Sequence, residues 1–248
     1  MQREFLEGIK VLTATLNELV DMIFFDVDHP QKGLDRVYWG INPAYLYRGK
    51  RYYSEYIQVL RNSSRVYVDG FSILLLWNYF KRMHPKIPER VATTDLFPVI
   101  LEKNRHLKKR IFLLGSEENV VRKVFDEFKS FGIVGYHNGY FRKEENDFII
   151  NCINQLKVDI LFVGLGNPKQ ERWIIENIDR LQTRVIIPCG GLFDHYAKYR
   201  KAPDFFRKHG LEWIWRLWES RFSSYRLKQV RESILYVLSQ LFSYRGWR

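Results

Sequence analysis

Residues 159–173 read DILFVGLGNPKQERW, and this stretch decides the fold class of the chain. Residues 160–163 are apolar without interruption, as in a strand buried on both faces of a parallel sheet. Gly164 and Gly166 then allow a sharp turn and a close approach of a ligand to the backbone. Pro168 suits the first turn of a helix. A helix that begins at the carboxyl end of a buried strand favours an anionic ligand, so the stretch predicts an α/β fold and a binding site together.

A dinucleotide site of the Rossmann type fits this stretch poorly. That fingerprint has three glycines in the pattern G-x-G-x-x-G, and the third position here is Lys169. No acidic residue follows the next strand at the expected distance. The sequence therefore favours a sugar nucleotide or another phosphate ligand over NAD. For the two glycines on their own, a purely structural turn is an equal alternative.

The composition is that of one large domain, or of one domain with an appendage, in 248 residues of which 46% are hydrophobic. Cys152 and Cys189 lie in apolar segments and predict buried free thiols in a reducing compartment. The N-terminal segment is too polar for a secretory signal, and no run reaches the ~20 apolar residues of a membrane span. These features predict a cytoplasmic protein.

The net charge of +12 is concentrated near the C-terminus, where residues 207–248 hold nine Lys/Arg against three Glu. Four of the seven tryptophans lie in the same tail: Trp213, Trp215, Trp218 and Trp247. Arginine interleaved with aromatic residues is typical of a helix at a membrane interface with anionic headgroups. The same pattern suits a packed helix with a solvated basic face equally well, and a nucleic-acid surface less well.

Strand candidates alternate with helix candidates until residue 192, after which the pattern is helical throughout. The strand candidates are residues 36–41, 65–68, 111–114, 132–135, 160–163 and 185–188. This alternation predicts an α/β fold with a Rossmann-like, mostly parallel sheet, helices on both faces, and a helical C-terminal appendage. We place the boundary near Ala202-Pro203, between an α/β catalytic domain (1–203) and a basic, aromatic-rich, membrane-associating appendage (204–248).

Small or polar clusters follow five of the strand candidates: residues 40–42, 69–70, 115–116, 164–170 and 190–194. The carboxyl ends of parallel strands share one edge of the sheet, which is where open α/β sheets bind ligands. The five clusters are therefore expected to converge on one crevice.

Asp69 ends a strand candidate and continues into Gly70. A carboxylate in a partly apolar crevice can act as a general base on a hydroxyl. Asp-Gly is also common turn chemistry, and the dipeptide alone favours that interpretation. Asp194 can bind a ligand or cap a helix, and Arg90 can bind a phosphate bidentately or form a surface salt bridge.

Asp26-Val27-Asp28 has the Asp-x-Asp spacing with which many sugar-nucleotide enzymes hold a divalent cation. The motif stands in a predicted loop rather than after a buried strand, and two carboxylates without a formed cavity seldom bind Mg²⁺. The six histidines lack the ligand spacing of a zinc site, and no P-loop or nucleophile elbow is present. The sequence therefore predicts no metal and no cofactor.

Eight segments, in order, resemble the WecG/TagA/CpsF family, glycosyltransferase family 26. They are residues 68–70, Glu89-Arg90 with Asp95-Leu96, 110–115 (RIFLLG), 137–141 (HNGYF), 159–173, 190–194 (GGLFD), 200–203 (RKAP) and 210–217 (GLEWIWRL). The resemblance covers most of the chain, and the combination is far more specific than any single motif.

The resemblance implies a metal-independent, inverting glycosyltransferase, cytoplasmic and peripheral on the inner face of the cytoplasmic membrane. Family members move a sugar from a UDP-sugar to a sugar on undecaprenyl diphosphate, in the synthesis of envelope polysaccharide or exopolysaccharide. The implied partners are a UDP-sugar donor, a polyprenyl-diphosphate-linked sugar acceptor and that membrane face, but no nucleic acid. Self-association into a homo-oligomer is left open.

The roles of individual residues carry over by motif. Asp69 matches the proposed catalytic base of the family. The residues that would line the donor and acceptor pocket are Asn42, Arg90, Gly164, Gly166, Gln170 and Asp194. The arginines that would contact phosphate or lipid from the appendage are Arg216, Arg221 and Arg226.

Gly40 departs from the family pattern, since many members have Thr-x-Asn where this chain has Gly40-Ile41-Asn42. The missing hydroxyl leaves the donor sugar open among glucose, N-acetylmannosamine and its uronic acid. It also leaves two alternatives to catalysis: a non-catalytic UDP-sugar-binding protein and, ranked lower, a nucleic-acid-binding module that uses the basic tail.

Overall fold

The computed structural model describes residues 2–4, 6–80, 86–198, 203, 205–206 and 211–245. The strands are β1 (Gln2–Glu4), β2 (Lys10–Leu12), β3 (Trp39–Ile41), β4 (Val66–Val68), β5 (Ile111–Gly115), β6 (Ile133–His137), β7 (Ile160–Gly164) and β8 (Val185–Pro188). The helices are α1 (Leu16–Asp28), α2 (Pro43–Tyr52), α3 (Ser54–Asn62), α4 (Phe71–Leu75, continued by a π-helical turn, Leu76–Phe80), α5 (Thr93–Leu107), α6 (Glu118–Phe128), α7 (Asn146–Gln155), α8 (Lys169–Asn177), α9 (Leu192–Lys198), α10 (Glu212–Glu219) and α11 (Ser224–Arg245).

The central sheet is parallel, with the strand order β6-β5-β7-β8. A second parallel pair, β3 and β4, lies beside it, because the Tyr38 N–H donates to the Ile186 carbonyl at 2.9 Å. The predicted α/β fold with a mostly parallel sheet and a C-terminal helical segment is thus confirmed. The chain runs from β5 to β6 on one side and returns to β7 on the other side of β5. The loops after β5 and β7 therefore diverge and open a crevice between them.

The central strands are buried on both faces, as their continuous apolar sequences predict. In β5, Ile111 and Leu113 pack into the apolar layer that holds α1, α5 and α6. Phe112 and Leu114, which point the other way, pack into the layer that holds α7 and α8. Because side chains of the central strands pack into both apolar layers, the carboxyl edge of the sheet is held in a fixed position.

The helices begin with different local contacts. A capping box opens α1, since the Glu18 N–H donates to Thr15 Oγ1 and Glu18 Oε2 accepts from the Thr15 N–H. Ser116 does not cap α6, because Glu117 precedes that helix and Ser116 has a left-handed backbone with φ 59°. Pro168 lies immediately before α8 rather than within its first turn.

The antiparallel hairpin of β1 and β2 has no counterpart among the predicted strands. Each of these strands has three residues, too few for an alternating apolar pattern to stand out. The two thiols are free, with Cys189 buried and Cys152 half-buried.

Helix α11 packs along α2. Glu232, Tyr236 and Gln240 recur every fourth residue, and all three are buried on the face toward the rest of the chain. The opposite face leaves five apolar side chains between 41% and 64% exposed: Leu227, Ile234, Leu235, Leu238 and Phe242. Among the described residues, no helix is long and apolar enough to cross a bilayer.

Candidate active site

A cavity of about 570 Å³ opens at the carboxyl edge of the sheet. Each of the five clusters predicted to converge contributes to its wall: Gly40 and Asn42, Asp69, Ser116, residues 164–169, and Gly190, Gly191 and Asp194. Further lining residues come from α5 and the C-terminal segment: Thr93, Thr94, Ser223, Tyr225, Arg226 and Gln229. The cavity thus lies at the divergence of the loops after β5 and β7, where this topology favours ligand binding.

Three glycines bring the backbones of neighbouring strand ends into direct contact on the sheet side of the cavity. A Cβ on Gly115 would lie 2.3 Å from the carbonyl oxygen of Gly164, and a Cβ on Gly164 would lie 2.9 Å from that of Gly190. Side chains at positions 115 and 164 would push the strand ends apart. The glycines therefore keep backbone groups at the surface of the cavity.

Asp69 follows β4 and lies half-buried in the cavity wall. Its N–H donates to the Ile41 carbonyl at 3.0 Å, which fixes its backbone to the end of β3. Beside it, Asn42 lines the cavity and also caps α2, since its Oδ1 accepts from the Tyr45 N–H at 3.1 Å. The structure thus places Asp69 and the 164–169 turn on the same cavity.

The Tyr67 phenol lies behind Asp69 and beneath Gly40. A Cβ on Gly40 would lie 2.8 Å from Tyr67 Oη, so the ring fills the space that a side chain at position 40 would need. Tyr67 Oη is 3.1 Å from Thr93 Oγ1, and Thr93 lines the cavity. Burial and the charge of Asp69 both raise the pKa of Tyr67, so its hydroxyl stays protonated at neutral pH.

Asp194 and Ser116 join two loops across the cavity. Ser116 Oγ donates to Asp194 Oδ2 at 2.9 Å, across 78 positions of sequence. Both residues line the cavity. Gly164 and Gly166 also line the cavity, and Gly166 has the left-handed φ of +78° that suits glycine at a turn.

Two residues assigned to the pocket by resemblance stand outside the described lining. Gln170 is 1% exposed, and its side chain bonds the Gly190 N–H and the Glu171 carboxylate instead. Arg90 lies 3.6 Å from Asp95 in an ion pair at the start of α5.

The three arginines of the C-terminal appendage lie at different places relative to the cavity. Arg226 lines the cavity, and its Nη1 donates to Gln229 Oε1 at 3.1 Å. Arg221 is exposed and absent from the described lining. Arg216 belongs to α10, but its side chain lies outside the described part of the chain.

Sequence reasoning missed a buried ion pair that joins α11 to the cavity. Arg48 Nε donates to Glu232 Oε2 at 2.7 Å, and the two side chains are 8% and 2% exposed. Arg48 Nη1 also donates to Asn167 Oδ1 at 3.3 Å, and the guanidinium lies 5.7 Å from the centre of the Tyr225 ring. Since Asn167 and Tyr225 line the cavity, this pair connects the C-terminal helix to the site. The pairing spans 184 residues, so no local pattern could indicate it.

Glu171 is a buried carboxyl immediately behind the cavity loop, 2% exposed. Burial raises its pKa to about 7, and hydrogen bonds from Gln170 and Asn167 and the charge of Arg48 oppose that rise. A pKa higher in the folded than in the unfolded chain stabilises the fold below the unfolded pKa. That contribution is lost as the pH rises through the folded value.

We therefore expect Glu171→Gln to gain stability relative to the parent as the pH rises. The gain between pH 5 and pH 8 should be roughly 2–3 kcal/mol, because the parent must ionise a buried carboxyl in this range and the variant carries none. Urea unfolding at several pH values measures the difference. Parallel stability curves for parent and variant would contradict the assignment of this titration to Glu171.

The Asp-x-Asp motif lies away from the cavity. Asp26 is fully buried, where Arg65 Nε donates to its Oδ2 at 2.7 Å and the Tyr38 hydroxyl donates at 2.6 Å. Asp28 pairs with Lys109 at 2.5 Å. These contacts explain the motif as a structural element of α1. Among the described residues, no group of three or more His, Cys, Asp or Glu could hold a metal ion.

A family model described as "Glycosyl transferase WecG/TagA/CpsF family" matches residues 4–246. A protein of Bacillus subtilis (strain 168) is 25% identical over 245 residues, which is 97% of this chain and 93% of the relative. A Bacillus spizizenii relative is 29% identical over 167 residues, and a Staphylococcus aureus (strain NCTC 8325 / PS 47) relative is 27% identical over 166. These two matches cover 65% of this chain and 63% of each relative. All three relatives are named N-acetylglucosaminyldiphosphoundecaprenol N-acetyl-beta-D-mannosaminyltransferase.

Proposed function

Because the chain belongs to the WecG/TagA/CpsF family of glycosyl transferases, we propose that it transfers a sugar, with inversion, from a UDP-sugar to a saccharide attached to undecaprenyl diphosphate. Its product would enter envelope polysaccharide or exopolysaccharide. The observation that carries the proposal is the shared cavity of Asp69 and the 164–169 turn. Asp69 can remove a proton, and the 164–169 turn can bind a diphosphate.

In the proposed reaction, Asp69 accepts the proton of an acceptor hydroxyl while that oxygen attacks the anomeric carbon of the donor. The bond from the anomeric carbon to the UDP oxygen breaks on the opposite face, so the configuration inverts. The half-buried position of Asp69 supports this role, because the carboxylate reaches the cavity while its backbone is fixed to β3.

The departing UDP carries negative charge, which the start of α8 and nearby cations would stabilise. The first backbone N–H groups of a helix bind anions, and α8 begins at Lys169 on the cavity wall. Lys169 and Arg226 both line the cavity and supply positive charge. We propose that these groups serve without a metal, since the Asp-x-Asp carboxylates bind Arg65 and Lys109 elsewhere.

The C-terminal segment would bring the cavity to the inner face of the cytoplasmic membrane, where a polyprenyl acceptor lies. We keep residues 204–248 as the membrane-facing appendage of this proposal and residues 1–203 as the catalytic domain. Trp218 and Phe222, at the junction of α10 and α11, are 61% and 55% exposed. Exposed aromatic residues next to arginines suit an anionic bilayer surface.

We expect the double variant Trp218→Ser/Phe222→Ser to bind anionic liposomes roughly 10²-fold more weakly or worse, because each of the two aromatic side chains contributes about 1.5–3 kcal/mol when buried. Co-sedimentation with phosphatidylglycerol vesicles measures the loss. The control is Phe148→Ser on α7, which removes a ring that is 67% exposed on another helix. Equal binding by the double variant and the control would count against a membrane role for this junction.

A donor panel tests the proposed reaction. The enzyme would be given UDP-N-acetylmannosamine, its uronic acid and UDP-glucose, each with a short-chain polyprenyl-diphosphate N-acetylglucosamine, with and without EDTA. The names of the relatives make N-acetylmannosamine the first sugar to test. We expect UDP release and product with one of these donors, at the same rate with chelator. Donor binding without turnover on any acceptor would favour the non-catalytic alternative.

A further inference from the structure

The side chain of Gln170 spans two loops beneath the cavity instead of facing into it. Its Oε1 accepts from the Gly190 N–H at 3.0 Å, and its Nε2 donates to Glu171 Oε1 at 2.9 Å. Gln170 and Glu171 are 1% and 2% exposed. The amide thus links the start of α8 to the loop after β8, two elements whose positions together define one side of the cavity.

The chemistry of both ends fixes the orientation of this amide. A backbone N–H can only donate, so the Gln170 carbonyl must face Gly190. With its carbonyl on Gly190, Gln170 presents its NH₂ group to Glu171, whose carboxylate oxygen accepts from it. Three further side chains face Glu171 from neighbouring helices: Tyr45 and Arg48 of α2, and Tyr56 of α3.

Gly190, which this link holds, cannot move without changing the shape of the cavity. Gly190 lines the cavity in a left-handed conformation, with φ +53°. A Cβ built on Gly164 would lie 2.9 Å from the Gly190 carbonyl oxygen, so the two backbones are already in close contact. A shift of Gly190 would therefore move the wall that carries Asp194 relative to the wall that carries residues 164–169.

We propose that Gln170 and Glu171 are positioning residues, which hold Gly190 against the start of α8 so that the two cavity loops keep the spacing that the sugar donor needs. This inference deepens the proposed function and rests on it. It gives Gln170 a role through Gly190 rather than through contact with the donor.

The test exchanges the two side chains, which are neighbours of equal size. In Gln170→Glu at pH 8, two carboxylates face each other and repel. We expect kcat/KM at pH 8 to fall roughly 10²-fold, the cost of misplacing a site by about an ångström. In Gln170→Glu/Glu171→Gln, the carboxylate now at position 170 accepts from Gly190 and from the new amide at position 171, so both hydrogen bonds return. We expect the double variant to recover roughly tenfold or more of the loss, the scale of coupling within one hydrogen-bond network.

Hydrogen exchange of the Gly190 N–H, followed by NMR, supplies a readout that does not depend on turnover. We expect protection in the parent, loss of protection in Gln170→Glu, and protection again in the exchanged variant. The matched control is Gln182→Glu, which adds the same charge at an exposed position and should keep the parental rate and the parental exchange.

Two results would overturn the proposal. In the first, the exchanged variant regains Gly190 protection but not activity, which would mean that the Gln170 amide contacts the substrate itself. In the second, Gln170→Glu leaves Gly190 protected. A parent that turns over no donor would refute the proposed glycosyl transfer, while the exchange pattern would still decide whether the link exists.

Discussion

Asp69→Asn is expected to lower kcat by roughly 10²–10⁴, the usual scale for loss of a general base. Asparagine has almost the same shape and can still accept a hydrogen bond, but it cannot take a proton from the acceptor hydroxyl at neutral pH. The backbone bond from residue 69 to Ile41 does not involve the side chain, so the fold should persist. Product formation from a UDP-sugar and a lipid-linked acceptor measures the effect.

A matched control is Asp28→Asn, which makes the same change at a carboxylate paired with Lys109 away from the cavity. It should keep the parental turnover. UDP binding by Asp69→Asn should also stay close to that of the parent, because the lost charge acts on the acceptor rather than on the diphosphate. A folded Asp69→Asn enzyme with parental turnover would show that another group removes the proton.

Glu232→Ala is expected to destabilise the protein by about 3–5 kcal/mol, the cost of leaving one partner of a buried ion pair without the other. Arg48 would keep its charge in a site where its side chain is 8% exposed. The helix that carries Glu232 also buries Tyr236 and Gln240, so its docking on α2 should weaken. Turnover should fall as well, since Arg48 holds Asn167 on the cavity wall.

Equilibrium unfolding in urea measures this loss, and Arg48→Met/Glu232→Leu is the control. The double variant replaces the ion pair by apolar side chains of similar size and should recover most of the stability, because no charge is then left buried. A destabilisation of Glu232→Ala below about 1 kcal/mol, the scale of a surface salt bridge, would mean that the pair is solvated.

The sheet and the location of the cavity could be predicted because both depend on local patterns. Residues 160–163 and 111–114 are apolar without interruption and flanked by glycine, so they could be assigned to buried strands that end at a common edge. The five polar clusters follow such strands and all reach one cavity. Parallel topology alone brings them together, whatever their separation in the chain.

The links between these elements could not be predicted, because they join positions with no sequence relation. In the sequence, Arg48 is one of many cationic residues, and nothing marks it as the partner of Glu232. The motif assigns Gln170 to the pocket. In the folded chain its side chain is oriented toward Gly190, so the amide does not face the cavity. Serine is a common helix cap, but the contact of Ser116 with Asp194 requires the folded sheet.

The departure at Gly40 gains a physical explanation in the folded chain. The Tyr67 ring occupies the space beside Gly40, so the two residues have to be considered together. The family pattern alone indicates only that a hydroxyl is absent at position 40. The structure places the buried Tyr67 hydroxyl beside Gly40 and 3.1 Å from the hydroxyl of Thr93, which lines the cavity.

The central claim is that Asp69 faces a nucleotide sugar held by the start of α8, and a crystal structure with UDP and a short-chain lipid-linked acceptor tests it most directly. We expect the diphosphate against the backbone of residues 166–169, and an acceptor hydroxyl about 2.6–3.2 Å from the Asp69 carboxylate, the range for proton transfer. A diphosphate bound elsewhere, or an acceptor hydroxyl out of reach of Asp69, would contradict the account.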